Sequence, residues 1–277
     1  MNMKRHMEEV AAGQRFEFGK NWESFLSVLN DERIKEAEKS LTEMLEHKSL
    51  IDKQFLDIGS GSGLFSLVAK RLGAKVHSFD YDPESVACTA ELKRRYYPDN
   101  SEWTVEEGSI LDEDFLNSLG SFDIVYSWGV LHHTGDMWKA LENTKNLVSD
   151  NGLLFIAIYN DQGVISRIWR RIKKAYCSGP LAKRLISILM IPFFVVQNIA
   201  ISTIKRRNPI KAWLNKGKRG MSPYHDAKDW LGGYPFEVAK PEEIFDYYNN
   251  FGFTLMKMIT TNRNGCNQFV FQKIKPL

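Results

Sequence analysis

The residues in this sequence best placed to do chemistry are three glycines and two carboxylates. Phe55-Leu56-Asp57-Ile58-Gly59-Ser60-Gly61-Ser62-Gly63 reads as an apolar strand running into a glycine-rich turn that opens a helix. Gly59, Gly61 and Gly63, with Ser60 between the first two, allow positive φ and close approach of a ligand to the backbone. The helix start adds N–H groups that have no intrahelical partner. Asp80 lies 21 residues beyond Gly59, at the end of the next apolar run, where a carboxylate can hold ribose hydroxyls. The combination points to a nucleoside-bearing cofactor. A dinucleotide fingerprint would need glycine or alanine at position 64, which is Leu64. Asp57, two residues before Gly59, would repel a pyrophosphate and suits a ligand carrying an ammonium and a sulfonium.

Proton transfer has three candidate groups. His132 and His133 follow the apolar run Phe122-Asp123-Ile124-Val125-Tyr126-Ser127-Trp128, at the edge where open α/β sheets bind ligands. His225 has Asp226 and Asp229 nearby to orient its ring. Cys88, Cys177 and Cys266 are too few and too scattered for a disulfide framework or a zinc cluster, so no metal is expected and a reducing, cytoplasmic compartment is. Met1 to Phe18 carries charges throughout and lacks the apolar centre of a secretory signal.

The elements that must position these groups alternate. Strands are predicted over Gln54–Ile58, Lys75–Asp80, Trp103–Glu107, Phe122–Ser127, Leu153–Tyr159, Thr254–Thr261 and Gln268–Gln272. Helices are predicted over Asp31–His47, Gly63–Leu72, Pro83–Tyr97, Met137–Leu147 and Pro241–Asn250. Such alternation implies right-handed crossovers and a doubly wound, mostly parallel α/β sheet. Only the short segment Asn262–Asn267 separates the last two strands, which is enough for an antiparallel join and too little for a crossover helix, so the last strand should run antiparallel.

At this point the chain resembles the class I S-adenosylmethionine-dependent methyltransferases. The resemblance extends through Phe79-Asp80-Tyr81-Asp82-Pro83, Gly108-Ser109-Ile110-Leu111-Asp112, the Phe122–His133 block and the Asn151-Gly152 turn. It covers about 54–159 and 241–273 and implies a seven-stranded Rossmann-like fold with S-adenosyl-L-methionine as cofactor. By resemblance, Gly59, Gly61 and Gly63 frame the methionine portion, Asp80 holds the ribose, Tyr81 and Ile110 sandwich the adenine, and Ser127 faces the methionine portion. Ser109 stands where many members carry Asp, which leaves the adenine amino contact to backbone or to Asp112. The core is also similar to the ubiquinone-pathway O-methyltransferases. Their Glu-His pair after the fourth strand is here Leu131-His132-His133, so a metal site of their type is not implied.

The remaining blocks shape an acceptor site. Trp22 belongs to a leader (1–50) that should cap the cofactor, and Asp229–Glu237 looks like a pocket wall or lid hinge. With Trp22, the aromatic residues Trp128, Tyr159, Tyr224 and Tyr234 are the expected walls. The core is then 51–161 with 237–277, and 162–236 is an insertion.

Charge divides the same way. The chain has a formal net charge of +3, yet 163–219 holds fourteen basic and no acidic residues, leaving −11 elsewhere. Within that segment Leu185–Ile204 is a run of twenty uncharged, mainly apolar residues, about the length of a membrane span, interrupted by Pro192. Three readings fit: a helical lid with solvated arginines, peripheral attachment to an anionic membrane at its inner face, and RNA binding with Trp169, Tyr176 and Trp213 as stacking groups. The long apolar run argues against nucleic acid. The expected activity is in-line methyl transfer from S-adenosylmethionine to an oxygen of a small or lipid-like acceptor such as a quinone, glycan or lipid intermediate. The rival activities are an RNA methyltransferase and a cofactor-binding, membrane-docking protein without catalysis.

Overall fold

The computed structural model describes residues 2–27, 29–204 and 230–274. Seven strands form one sheet: β1 (Gln54–Ile58), β2 (Lys75–Asp80), β3 (Trp103–Glu107), β4 (Phe122–Trp128), β5 (Val148–Tyr159), β6 (Phe253–Ile259) and β7 (Cys266–Lys273). Their order is β3-β2-β1-β4-β5-β7-β6, with β1 to β5 pairing in parallel and β7 antiparallel to both neighbours. The chain reverses between β1 and β4, which places the switch point of the sheet at the C-terminal ends of those two strands.

The helices are α1 (Asn2–Ala11), α2 (Gly19–Leu26), α3 (Asp31–Leu45), α4 (Leu64–Arg71), α5 (Pro83–Tyr96), α6 (Glu113–Leu119), α7 (Met137–Leu147), α8 (Val164–Cys177), α9 (Pro180–Ile204) and α10 (Pro241–Asn250), with a 3-10 turn at Leu131–His133. Side-chain caps start several of them: Asn30 accepts from the Arg33 N–H, Asp82 from Glu84, Asp112 from Phe115 and Asp136 from Lys139.

Both sheet faces are covered, so the strands read as near-continuous apolar runs whose residues still alternate by face. Leu56, Ile58, Val125, Leu154 and Ile156 point to the side of α6, α7 and α10; Phe55, Val76, Ile124, Tyr126 and Phe155 point to the side of α2 to α5. A third apolar cluster joins leader to insertion, with Phe16, Tyr176 and Leu231 at its centre and Trp169, Ile186, Met190 and Phe194 packed against it.

Several expectations change in detail. The β5 strand begins five residues earlier than the sequence predicts, and the helix starting at Asp31 ends at Leu45, where Glu46 takes a left-handed conformation. The insertion forms two helices that pack on each other, and the leader contributes α1 and α2, which sequence periodicity did not reveal.

Candidate functional site

The glycine turn is fixed from three sides. The Gly59 and Ser60 N–H groups donate to the Phe79 carbonyl at 2.8 and 3.2 Å, tying the turn to β2. Ser60 Oγ pairs with Thr89 Oγ1 at 2.9 Å, and Thr89 Oγ1 donates to the Gly61 carbonyl at 3.2 Å, tying it to α5. Gly61 N–H donates to Asp80 Oδ2 at 2.9 Å. Glycine is required here for space as well as for φ. At Gly59 (φ +74°) a Cβ would stand 2.4 Å from Val130 Cγ1; at Gly61 (φ +55°) it would stand 3.0 Å from the Trp22 indole. Gly63, also left-handed, precedes α4.

Asp80 sits at the C-terminal end of β2, partly open at the surface. Besides Gly61 it accepts from the Asp82 N–H on Oδ1 at 2.9 Å. A carboxylate has about four lone-pair directions, so acceptor capacity remains for a ribose hydroxyl. Desolvation by the surrounding protein raises its pKa to about 6, against the pull of those backbone N–H groups. Asp57 has a different environment. It is fully enclosed beneath the turn and accepts from Ser66 Oγ at 2.5 Å; Ser66 in turn contacts Ser78 Oγ at 2.8 Å, and Trp103 Nε1 donates to Ser78 at 2.9 Å. Burial pushes Asp57 up to about 7. Its carboxylate faces α4 and does not line the turn's open side, so it meets a cationic ligand through its field and not by contact.

Four other expected cofactor contacts have partners within the protein. Ser127 is fully buried and donates to the Ile58 carbonyl at 3.1 Å, bracing β4 against β1 instead of presenting a hydroxyl to a ligand. Ile110 is part of the core beside Phe79 and Leu116. Ser109 Oγ accepts from the Leu111 N–H at 3.2 Å within its own turn, and Asp112 is spent as the cap of α6. Tyr81 remains at the edge, packed edge-on against His6 with ring centroids 5.4 Å apart.

The histidine pair separates into two roles. His132 Nδ1 accepts from the Tyr159 N–H at 3.3 Å, so in its neutral form the proton is on Nε2, a buried donor with no hydrogen-bond partner among the described residues. His133 Nδ1 lies 2.6 Å from the Pro235 carbonyl, which only accepts, so Nδ1 carries the proton and Nε2 keeps a lone pair. Burial is the main cause that lowers both pKa values, well below 6.5 for His132 and to about 3 for His133, with the Lys173 charge contributing to each. Both are neutral at physiological pH.

Aromatic rings wall the pair. Tyr159, at the end of β5, has its ring 4.0 Å from His132 and 5.4 Å from His133; Phe18 stands 5.1 Å from His133; Trp230 and Phe236 stand 5.5 and 5.3 Å from Tyr159. The segment 236–239 follows this edge, with Glu237 N–H donating to the His132 carbonyl and Ala239 N–H to that of Tyr159, each at 3.0 Å. Trp128 anchors the other side through Gln268 at 3.2 Å, and the Tyr234 carbonyl receives the Phe16 N–H at 3.0 Å. Tyr224 and His225 lie outside the described residues. Among the described residues no three His, Cys, Asp or Glu side chains gather as metal ligands.

Two residues of this site were missed in the sequence. Lys173 is fully buried, donates to the Trp230 carbonyl, and holds its ammonium 4.3 Å from the Trp230 ring centre and 5.0 Å from that of Phe236. It was counted with the solvated cations of the insertion, although its i+4 and i−3 spacing to Trp169 and Tyr176 puts it on their inward face. Arg15 is the second. Its Nη1 and Nη2 donate to the His133 and Thr134 carbonyls at 3.0 and 3.2 Å, its Nε pairs with Glu9 at 2.9 Å, and its guanidinium lies 4.8 Å over the Tyr81 ring. The leader therefore crosses from the end of β2 to the end of β4. Gly19 N–H, donating to Asp82 at 2.7 Å, fixes the start of α2 on the same edge.

Residues 56–154 match the family model described as a methyltransferase domain. The chain is 33% identical over 116 residues to a ubiquinone biosynthesis O-methyltransferase of Glaesserella parasuis, covering 40% of this chain and 47% of that one. It is 29% identical over 123 residues to a ribosomal protein L11 methyltransferase of Anoxybacillus flavithermus, covering 39% of each. The chain thus spans half or less of the length of these curated relatives. Among solved structures it is similar to magnesium protoporphyrin IX methyltransferase from Synechocystis PCC 6803 with bound SAH, with a TM-score of 0.52, 12% identity, and coverage of 87% of this chain and 83% of that one. That likeness is one of fold.

Proposed function

We propose, from the premise that residues 56–154 are a methyltransferase domain of the class I S-adenosylmethionine-dependent family, that this chain transfers a methyl group from S-adenosyl-L-methionine to an oxygen of an apolar or aromatic acceptor. The observation that carries the reading is the convergence on one sheet edge of a glycine cradle, the Asp80 carboxylate and a pair of neutral histidines walled by aromatic rings. The donor set suits the cofactor, since Asp80 at the end of β2 retains acceptor capacity for ribose hydroxyls beside the glycine turn. When bound, the cofactor supplies a methyl already activated by its sulfonium.

What remains for the protein is placement and a proton. His133 Nε2 keeps a lone pair and accepts a hydrogen bond from the acceptor's hydroxyl, which orients that oxygen while its proton leaves to solvent; His132 Nε2–H, a donor without a partner among the described residues, braces the same oxygen. The Lys173 charge that disfavours imidazolium in both rings favours an anionic acceptor oxygen in the same field, which supports a hydroxyl acceptor over an amine. Phe18, Tyr159, Trp230 and Phe236 exclude water and give the acceptor an apolar wall.

The test is methyl transfer by the full chain from methyl-labelled cofactor into a cell extract. Label in the organic-extractable fraction is the expected result. Label in RNA or protein would overturn the acceptor class, and cofactor binding with no labelled product would overturn catalysis.

A further inference from the structure

Helix α9 is apolar on all sides but covered on only one. Ile186, Met190 and Phe194 face the leader and α8 in the third apolar cluster. Leu181, Leu185, Ile188, Leu189, Phe193 and Val196 recur at helical spacing on the opposite face and are exposed, Leu181 by 72% and Leu189 by 70%. None of the eighteen residues Pro180–Gln197 is buried. A helix apolar all round belongs in a core or a lipid environment, and a patch of this extent on a water-exposed face marks an interaction site. The polar residues soften little of this. Ser187 and Thr203 donate their hydroxyls to the Lys183 and Ile199 carbonyls of their own helix at 2.7 and 2.9 Å.

The neighbouring charge selects the partner. Arg167, Arg170, Arg171 and Lys174 follow i, i+3, i+4, i+7 spacing, so they share one face of α8, and all are exposed; Arg184 adds an exposed cation at the start of α9, while Lys183 lies over the Phe16 and Tyr176 rings. The whole stretch 163–204 contains no Asp or Glu. A second copy of the chain seated on this face would bring cations against cations. Nucleic acid would leave the apolar stripe unused. A span across the bilayer would have to strip α9 from the cluster around Phe16 and Tyr176. An anionic lipid surface satisfies both halves, with acyl chains for the stripe and phosphates for the cations.

We propose that the α8–α9 hairpin is a docking surface for anionic membranes, lying in the plane of the interface with the Leu185–Phe193 face among the lipids and the α8 cations on the headgroups. It is independent of the methyl-transfer reading. The test is co-sedimentation of the full chain with phosphatidylcholine vesicles, with and without phosphatidylglycerol, at low and physiological salt. Wild-type protein should bind the anionic vesicles. A triple Leu185→Ser, Leu189→Ser, Phe193→Ser variant should bind at least tenfold more weakly, while retaining its circular dichroism because these side chains support no core. An Arg167→Gln, Arg170→Gln, Arg171→Gln, Lys174→Gln variant should lose the salt-sensitive part of binding. Failure of wild-type protein to sediment with anionic vesicles at low salt overturns the proposal, as does undiminished binding by the serine variant. A wild-type oligomer that the serine variant dissociates, with no vesicle binding, assigns the face to a second copy instead.

Discussion

Arg15 donates to the His133 carbonyl at 3.0 Å while its guanidinium lies over Tyr81, so one leader side chain spans the two strand ends between which a cofactor would lie. The leader is thereby a structural part of the site. Arg15→Ala removes two backbone contacts and the Glu9 pair in a partly buried setting, which should cost about 1–3 kcal/mol of local stability. Limited proteolysis should show faster cleavage within 1–30 in the variant, with cofactor restoring protection; equal cleavage rates would detach the leader from the site.

Asp80 carries two duties, holding the Gly61 and Asp82 N–H groups and offering lone pairs to ribose. Asp80→Asn places an amide donor against at least one of those N–H groups. Affinity for S-adenosylhomocysteine should fall more than tenfold, with a loss of about 1–3 kcal/mol in unfolding free energy. Titration calorimetry and thermal melts measure the two effects separately.

Cofactor binding should depend on pH through the same residue. Its pKa is raised to about 6, and ribose hydroxyls that donate to it favour the ionised form. Protons then compete with ligand, so affinity falls as pH drops through 6 and is level above 7. Calorimetry at neighbouring pH values in two buffers of different ionisation enthalpy reads both the affinity and the proton released.

Asp57 gives a stability signature of defined sign. Its folded-state pKa of about 7 exceeds its unfolded value of 3.8, so its contribution is full below about 3.8 and is lost progressively as pH rises from there to about 7. Asp57→Asn keeps an acceptor for Ser66 and removes that loss. The variant should melt higher than wild type at pH 8, by less at pH 5, and show no gain below about pH 4. His132 and His133, lowered below 6.5, act oppositely, weakening the fold as pH falls below 6.5.

The two histidines should respond differently to substitution. His133→Ala removes the free lone pair and should lower kcat by about 10²-fold or more. His132→Gln keeps a donor and should act mainly on KM. Matching losses in both parameters for both variants would contradict the division of roles set by the Tyr159 N–H and the Pro235 carbonyl.

Much of this was legible in the sequence. The strands Gln54–Ile58, Lys75–Asp80 and Trp103–Glu107 have the predicted bounds; each is a short run with β-branched or aromatic residues bounded by turn or helix signals. The glycine turn was legible because only glycine tolerates its φ values and the approach of Val130 and Trp22. Helices α1 and α2 were not, because they are short and held by tertiary contacts such as His6 with Tyr81 and Gly19 with Asp82 rather than by their own propensity. Tyr176, proposed as a stacking group for RNA, is buried, and Trp169 stacks on Phe194 at 6.1 Å. Residue type alone does not report which face of a helix a side chain occupies; for Lys173 the helical period did carry that signal.

The account rests on a cofactor seated between the glycine turn and Asp80, and calorimetric titration of S-adenosylhomocysteine into the full chain tests it most directly. One molecule bound per chain, with affinity lost in Asp80→Asn, is the predicted result. No binding by wild-type protein, or equal affinity in the variant, would contradict it.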